Sequence, residues 1–404
     1  MTCKFLVPAR CGLAAGLLLT VTMLSGAGTS LAVASRTALT TTIVASGLNQ
    51  PKKITIEPDG TLLVALSGDG VAPKSCTDAD ELSCRDSSGA IDAISRSGRV
   101  RRLLWDLTSV SSGHEDPQAT GPVEARLVGG KLEVLYQDLD LDTTTGVTLF
   151  GRSSLLGDLV AYDGSARCVQ AQLGPYEATS DPAGSGAGTA IKYGYESTIN
   201  SDPYSFVPYD GGYAIADAGA NDVLFLSSTG HIRVLAVLPT IKEHAPADSF
   251  GSSQKKAIEA DAQAVPTSIT VGPDGALYVG ELGGAPFDLG TSSVYRVVPG
   301  HRATVFARGF TAIGDIAFDH EGRLLVVELD KKGLNDPGLN DGHPASGEII
   351  RVDPDARKTA LVSSALDFPT GIAVGSGDTI YLSEFGLDSA ATDSHGGEIV
   401  RITL

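Results

Sequence analysis

Apolar residues in this chain either alternate with polar ones or gather in short runs, and Gly and Pro punctuate them throughout. That pattern predicts β-strands joined by tight turns. The three-and-four spacing of an amphipathic helix is absent, apart from a possible helical turn near Lys255 to Ala262. The strongest signal is repetition. Pro51 to Leu66 (PKKITIEPDGTLLVAL), Pro266 to Glu281 (PTSITVGPDGALYVGE) and Ile313 to Glu328 (IGDIAFDHEGRLLVVE) align without gaps, and Pro369 to Glu384 (PTGIAVGSGDTIYLSE) is a further copy. Weaker copies run from Pro122 to Tyr136 and from Pro203 to Asp217. Each reads as a β-hairpin whose turn Gly supplies the backbone conformation that other residues resist.

The spacing between copies leaves room for four strands per unit. Third and fourth strands are readable at Ala90 to Ser95 and Val100 to Trp105, at Val223 to Ser227 and Ile232 to Leu238, at Ser293 to Val298 and Ala303 to Ala307, and at Glu348 to Val352 and Thr359 to Val362. The expected fold is therefore all-β, a six-bladed β-propeller. The last unit offers only three strands, ending with Glu398 to Thr403, and Leu39 to Ala45 would supply the missing one. The two chain ends thus close the ring, and residues 35–404 form a single domain.

The first 34 residues read as a signal peptide. Lys4 and Arg10 form a positive start, Gly12 to Leu24 is apolar, and Ala32-Val33-Ala34 offers small residues for cleavage after Ala34. An exported, secreted or extracytoplasmic protein with no stable membrane insertion after cleavage is expected. Formal charge is −18, and loss of Lys4 and Arg10 makes the mature chain more acidic still. A nucleic-acid partner is excluded on that charge. In an oxidising compartment Cys76 and Cys84, close together in a polar stretch, are expected to form a disulfide. Cys168 is left over, as a buried thiol or an intermolecular partner.

The repeat also supplies coordinates for chemistry. Six residues beyond the turn Gly, or beyond Asp378 at the aligned position of the last copy, stand Leu66, Tyr136, Asp217, Glu281, Glu328 and Glu384. Such carboxylates either accept backbone N–H groups and fix the following turn or hold a cation, and oxygen donors suit Ca²⁺ or another divalent cation. Asp217, Asn221 and Asp222 in DAGAND form the preferred single cation site, because Gly219 lets the backbone fold tightly. Asp138, Asp140 and Asp142 alternate in DLDLD, either as a cation loop or as one solvated strand face. Two residues into each copy stand Lys53, Glu124, Ser205, Ser268, Asp315 and Gly371. These are expected to ring the mouth of the central channel, with Lys53, Ser205 and Ser268 as ligand-binding groups.

Pro266-Thr267-Ser268, the run Val271 to Leu282 (VGPDGALYVGEL) with Pro286-Phe287, the stretch Ala216 to Asp222 (ADAGAND) and Gly309-Phe310-Thr311 together resemble the ScyD/ScyE family of exported proteins. That family is similar to NHL-type six-bladed propellers and is named for association with the pigment scytonemin. The resemblance spans roughly Val44 to Leu404. Asp202 and Leu66 depart from it, standing where Asn and an acidic residue are usual.

Two function classes follow. In the first, a non-catalytic propeller binds a small molecule, envelope component or protein, with acidic, Ca²⁺-binding loops on one face. The alternative is a divalent-metal-dependent hydrolase of the lactonase or esterase type, in which a channel-mouth metal polarises a carbonyl and Asp315 or Glu124 is the catalytic base. No GxSxG, HExxH, P-loop or dinucleotide-binding motif is present.

Overall fold

The computed structural model describes residues 40–71, 84–112, 118–137, 154–184, 200–245, 258–336, 339, 344–386 and 396–403. Six antiparallel sheets follow one another around a ring. The first blade holds β2 (Pro51–Ile56), β3 (Leu62–Leu66), β4 (Cys84–Ile94), β5 (Val100–Ser112) and the short β6 (Gln118–Thr120), after β1 (Thr40–Leu48). The second holds β7 (Pro122–Val128), β8 (Lys131–Tyr136), β9 (Asp158–Asp163) and β10 (Ala166–Gln172), followed by α1 (Leu173–Ser180). The third holds β11 (Pro203–Tyr209), β12 (Gly212–Asp217), β13 (Asp222–Leu226) and β14 (Ile232–Val237). A separate hairpin, β15 (Ile241–Ala245) and β16 (Ile258–Ala262), precedes the fourth blade of β17 (Pro266–Val271), β18 (Leu277–Glu281), β19 (Ser292–Val297) and β20 (Thr304–Phe310). The fifth contains β21 (Ile313–Phe318), β22 (Leu324–Glu328), β23 (Gly347–Val352) and β24 (Lys358–Leu366), and the sixth β25 (Gly371–Val374), β26 (Ile380–Glu384) and β27 (Gly397–Thr403).

The sixth sheet is completed by β1, which pairs antiparallel with β27 from Thr40 opposite Thr403 to Leu48 opposite Gly397. This is the closure that the strand count predicts. All six hairpins read from the repeats are present, in the expected register.

Apolar side chains pack between neighbouring blades. Six clusters fill the six interfaces; Leu63, Ile91 and Leu107 of the first blade meet Ala125, Val134 and Val160 of the second, and Ile54, Val64 and Ile94 meet Tyr381 and Ile399 of the sixth. Burial of that apolar surface is the main stabilising term, at roughly 25 cal/mol per Å². Threonine and serine hydroxyls lace the inner strands as well. Thr55 Oγ1 donates to Ala125 O at 2.7 Å, Thr267 Oγ1 to Ile313 O at 2.6 Å and Thr370 Oγ1 to Pro51 O at 2.7 Å.

Three expectations are revised. Ile258 to Ala262, within the possible helical turn, is a strand, because its backbone pairs with Ile241 to Ala245 and tertiary pairing overrides the helix propensity of Glu and Ala. Cys168 is not left over, since it is disulfide-bonded. Strand β4 begins at Cys84, well before the expected Ala90. The signal segment, Cys76, the Cys84 side chain and the DLDLD tract lie outside the described residues.

Candidate functional site

The first strand of five blades carries a register shift near its start, between Pro51 and Ile54, Pro122 and Glu124, Pro203 and Ser205, Pro266 and Ser268, and Ile313 and Asp315. A bulge at this point breaks the in-and-out alternation of a strand. Consecutive residues such as Lys52 and Lys53 are consequently both buried. Gly371 completes the ring in the sixth blade, where an added Cβ would lie 2.5 Å from Lys52 O. Only glycine allows the first and sixth blades to approach so closely.

Two ion pairs organise this ring. Lys53 reaches from the first blade to the fifth, where Nζ lies 2.9 Å from Asp315 Oδ1 and donates to Gly314 O at 2.5 Å. Asp315 also accepts the N–H of Ile316 on Oδ1 and that of Ile372 on Oδ2, each at 2.9 Å. The Tyr204 ring centroid lies 5.4 Å from Lys53 Nζ, a cation–π contact. On the opposite wall Glu124 Oε1 accepts from Arg126 Nε at 2.7 Å and pairs with Nη2 at 2.5 Å, while Oε2 accepts from Ser205 Oγ at 2.8 Å and Phe206 N at 2.9 Å. Arg126 Nε is shared with Phe206 O at 2.8 Å. Each ring carboxylate thus has a counter-charge of its own chain.

A cavity of about 280 Å³ is lined by Lys53, Glu124, Ser205 and Asp315 and by the strand residues that follow them toward the hairpin turns, Ile56, Arg126, Val271 and Phe318 among them. Exposure rises in the same direction. Lys53, Glu124 and Ser205 are buried, the Arg126 side chain is 28% exposed and Val271 is exposed. The ring is therefore the buried end of a cup that opens at the turns, rather than an open mouth. Ser268 lies outside the lining and is fully buried, with Oγ lacking a hydrogen-bond partner. Lys52 stands apart from the ring, donating from Nζ to Gly386 O at 2.9 Å, and burial lowers its pKa to about 8 against a smaller opposing pull from Asp202.

The second register behaves differently. Asp217, Glu281, Glu328 and Glu384 are all buried, each on its own blade. Asp217 Oδ1 accepts the N–H of Asp202 at 2.7 Å and of Ala220 at 3.1 Å, and Oδ2 accepts from Ser201 Oγ at 2.6 Å. Glu328 Oε1 accepts the N–H of Thr311 at 2.8 Å and Glu384 Oε1 that of Asp367 at 3.1 Å. Ser293 bonds Glu281. In three blades the carboxylate therefore clamps the backbone that leads into its own first strand. Burial raises the pKa of Asp217 to about 6, of Glu328 and Glu384 to about 7 and of Glu281 to about 8. Asn221 is likewise engaged, with Oδ1 accepting Val265 N at 3.0 Å. Among the described residues no set of three or more His, Cys, Asp or Glu is arranged to hold a metal ion.

Comparison with solved structures returns matches along nearly the whole chain. A gluconolactonase from Xanthomonas campestris is 10% identical at a TM-score of 0.49, covering 93% of each chain. Regucalcin from Agrobacterium tumefaciens, described as a calcium-binding protein, is 13% identical at 0.48, covering 89% of this chain and 94% of its own. Virginiamycin B lyase from Staphylococcus aureus is 13% identical at 0.44, covering 91% and 99%. No family model matches the chain, and no curated protein matches it. At such identities and TM-scores these likenesses carry no argument about activity, which has to be argued from the site itself.

Arg126 is a cup residue that the repeat register does not single out. Arg126 could have been read as the next residue on the Glu124 face, two positions along the strand.

Proposed function

We propose that this protein is an exported, ScyD/ScyE-like propeller that binds a small molecule in its central cup without turning it over. The observation that carries this reading is the neutralised ring: Lys53 already occupies the position of counter-ion to Asp315, and Arg126 that of counter-ion to Glu124. A catalytic cation at the ring would have to displace a buried ammonium group. Both oxygens of each candidate base already accept hydrogen bonds from the chain.

The cup supports a ligand with an apolar body and an acceptor group. Ile56, Val271 and Phe318 form apolar wall, while Arg126 is the partly exposed cation on it. Small pockets of this composition fix orientation through a few polar groups. An anionic headgroup would use the guanidinium's remaining N–H donors, since Nε and Nη2 face Glu124.

Short aliphatic and aromatic carboxylates at millimolar concentration are expected to raise the melting temperature, and Arg126→Lys, which keeps a charge beside Glu124 but removes the planar fork, to abolish that rise. Lactones and esters incubated with Ca²⁺ or Mg²⁺ should hydrolyse at the uncatalysed rate. Metal-dependent lactone hydrolysis that disappears in Asp315→Asn would replace this reading with the hydrolase.

A further inference from the structure

Away from the cup, a group of three buried carboxylates has no counter-charge among the described residues. Asp217 ends β12 and Asp222 begins β13, directly opposite each other in the antiparallel ladder. Like charges in that arrangement destabilise a sheet. Glu177 joins them from α1, the helix that follows the second blade, and acts electrostatically on both. Asp217 and Asp222 are fully buried and Glu177 is 3% exposed.

Their hydrogen bonding separates them. Both Asp217 oxygens accept bonds from Ser201, Asp202 and Ala220. Neither Asp222 Oδ1 nor Oδ2 has a hydrogen-bond partner, and neither has Glu177 Oε2. The charges that act on Asp222 are those of Asp217 and Glu177, and those acting on Glu177 are Asp217 and Asp181, every one negative. The cup is arranged in the opposite way, with Lys53 or Arg126 on each buried carboxylate. An unpaired buried carboxylate is costly by several kcal/mol, so the group must be neutralised by a proton or by a cation.

We propose that Asp222 and Glu177 seat one Ca²⁺ ion between the second and third blades, with Asp222 ligating through both oxygens and Glu177 through Oε2. Asp217 adds field without ligating, because its oxygens hold the DAGAND turn. An all-oxygen donor set selects a hard cation, and Ca²⁺ accepts the bidentate carboxylate and irregular coordination that Mg²⁺ resists. Two carboxylates are fewer than a complete protein cage, which accords with the absence of a three-residue metal cluster among the described residues; backbone carbonyls and water complete the shell. The site moves the sequence-based expectation from Asn221, whose Oδ1 is engaged by Val265, to Glu177.

The test is calcium titration of the full chain, stripped with EDTA and returned to metal-free buffer at neutral pH, by calorimetry and thermal shift. One Ca²⁺ per chain is expected, with a melting-temperature rise of about 5 °C at saturation and a much smaller response to Mg²⁺. Asp222→Asn should abolish the calcium response yet melt at or above the wild-type temperature in EDTA, because it removes a buried repulsion. Glu177→Gln, on the helix, should weaken calcium at least tenfold, and Arg126→Lys should leave it unchanged. That last variant separates this site from the cup. No calcium response in the wild type, with Asp222→Asn raising stability alike with and without calcium, would show that protons neutralise the cluster and overturn the proposal, as would a response that survives Asp222→Asn.

Discussion

Asp315→Ala is expected to destabilise the propeller by about 3–5 kcal/mol, the range for removing one partner of a buried ion pair. The effect is large because three donors lose their acceptor at once. Lys53 Nζ, on a side chain 2% exposed, is left with Gly314 O and the Tyr204 ring, and the N–H groups of Ile316 and Ile372 lose theirs altogether. Those two N–H groups belong to different blades, so the carboxylate also ties the fifth blade to the sixth. Asp315→Asn should cost less, since its carbonyl oxygen still accepts one N–H while the ammonium goes unneutralised. Lys53→Met in the Asp315→Asn background should recover part of the loss, because a buried charge without a partner is costlier than an apolar side chain of similar length. Urea unfolding at neutral pH measures all three. A loss below about 1 kcal/mol in Asp315→Ala, within the range of exposed pairs, would mean that water in the cup solvates Lys53 and that the ring is not a sealed floor.

The architecture was legible because it is written many times. A strand, a turn built on Asp59-Gly60 or Asp274-Gly275 and a second strand recur with little change, and the count of three strands in the last unit points to a closing strand before Pro51. The elements that escaped are those without the repeat. Ala166 to Gln172 is an outer strand with mostly exposed residues and little apolar pattern. Leu173 to Ser180 carries Gly174 and Pro175 in its first turn, and only Leu173, Gly174 and Glu177 are buried, so no helical stripe exists to be read.

The site was legible as positions and not as pairings. The register places Lys53, Glu124, Ser205 and Asp315 around one cavity, but periodicity says nothing about which charge meets which. Lys53 on Asp315 and Arg126 on Glu124 are relations across blades or along a strand, fixed by bulges that the sequence does not announce. The same holds for Glu177, which lies in another blade's connection and acts electrostatically on Asp222 across blades.

Metal-free protein is expected to lose stability as pH rises from about 5 to about 8, the reverse of ordinary acid denaturation. Burial raises the pKa of Glu328, Glu384 and Glu133 to about 7 and of Glu281 to about 8. Between the unfolded value of about 4.3 and these values the folded chain holds more protons than the unfolded one. Stability must therefore be greatest below that range and fall with pH until the folded groups have ionised. Each pH unit of displacement corresponds to about 1.4 kcal/mol, so together the four glutamates amount to a drop on the order of several kcal/mol. Above pH 8 the sign changes. Lys52, lowered to about 8 by burial, has shed its proton in the folded state while the unfolded lysine keeps it to about 10.4, so stability should recover slightly and leave a minimum near pH 8. Melting temperatures in EDTA at constant ionic strength measure the profile. The net charge of −18 also favours unfolding as pH rises, so the profile alone does not identify the groups. Glu281→Gln does: it removes one carboxylate in eighteen units of charge but the largest of the four displacements, and should flatten the fall between pH 5 and 8 by far more than its share of the net charge. A wild-type profile that is flat or rises over that interval would show that these carboxylates stay ionised and hydrated in the folded protein.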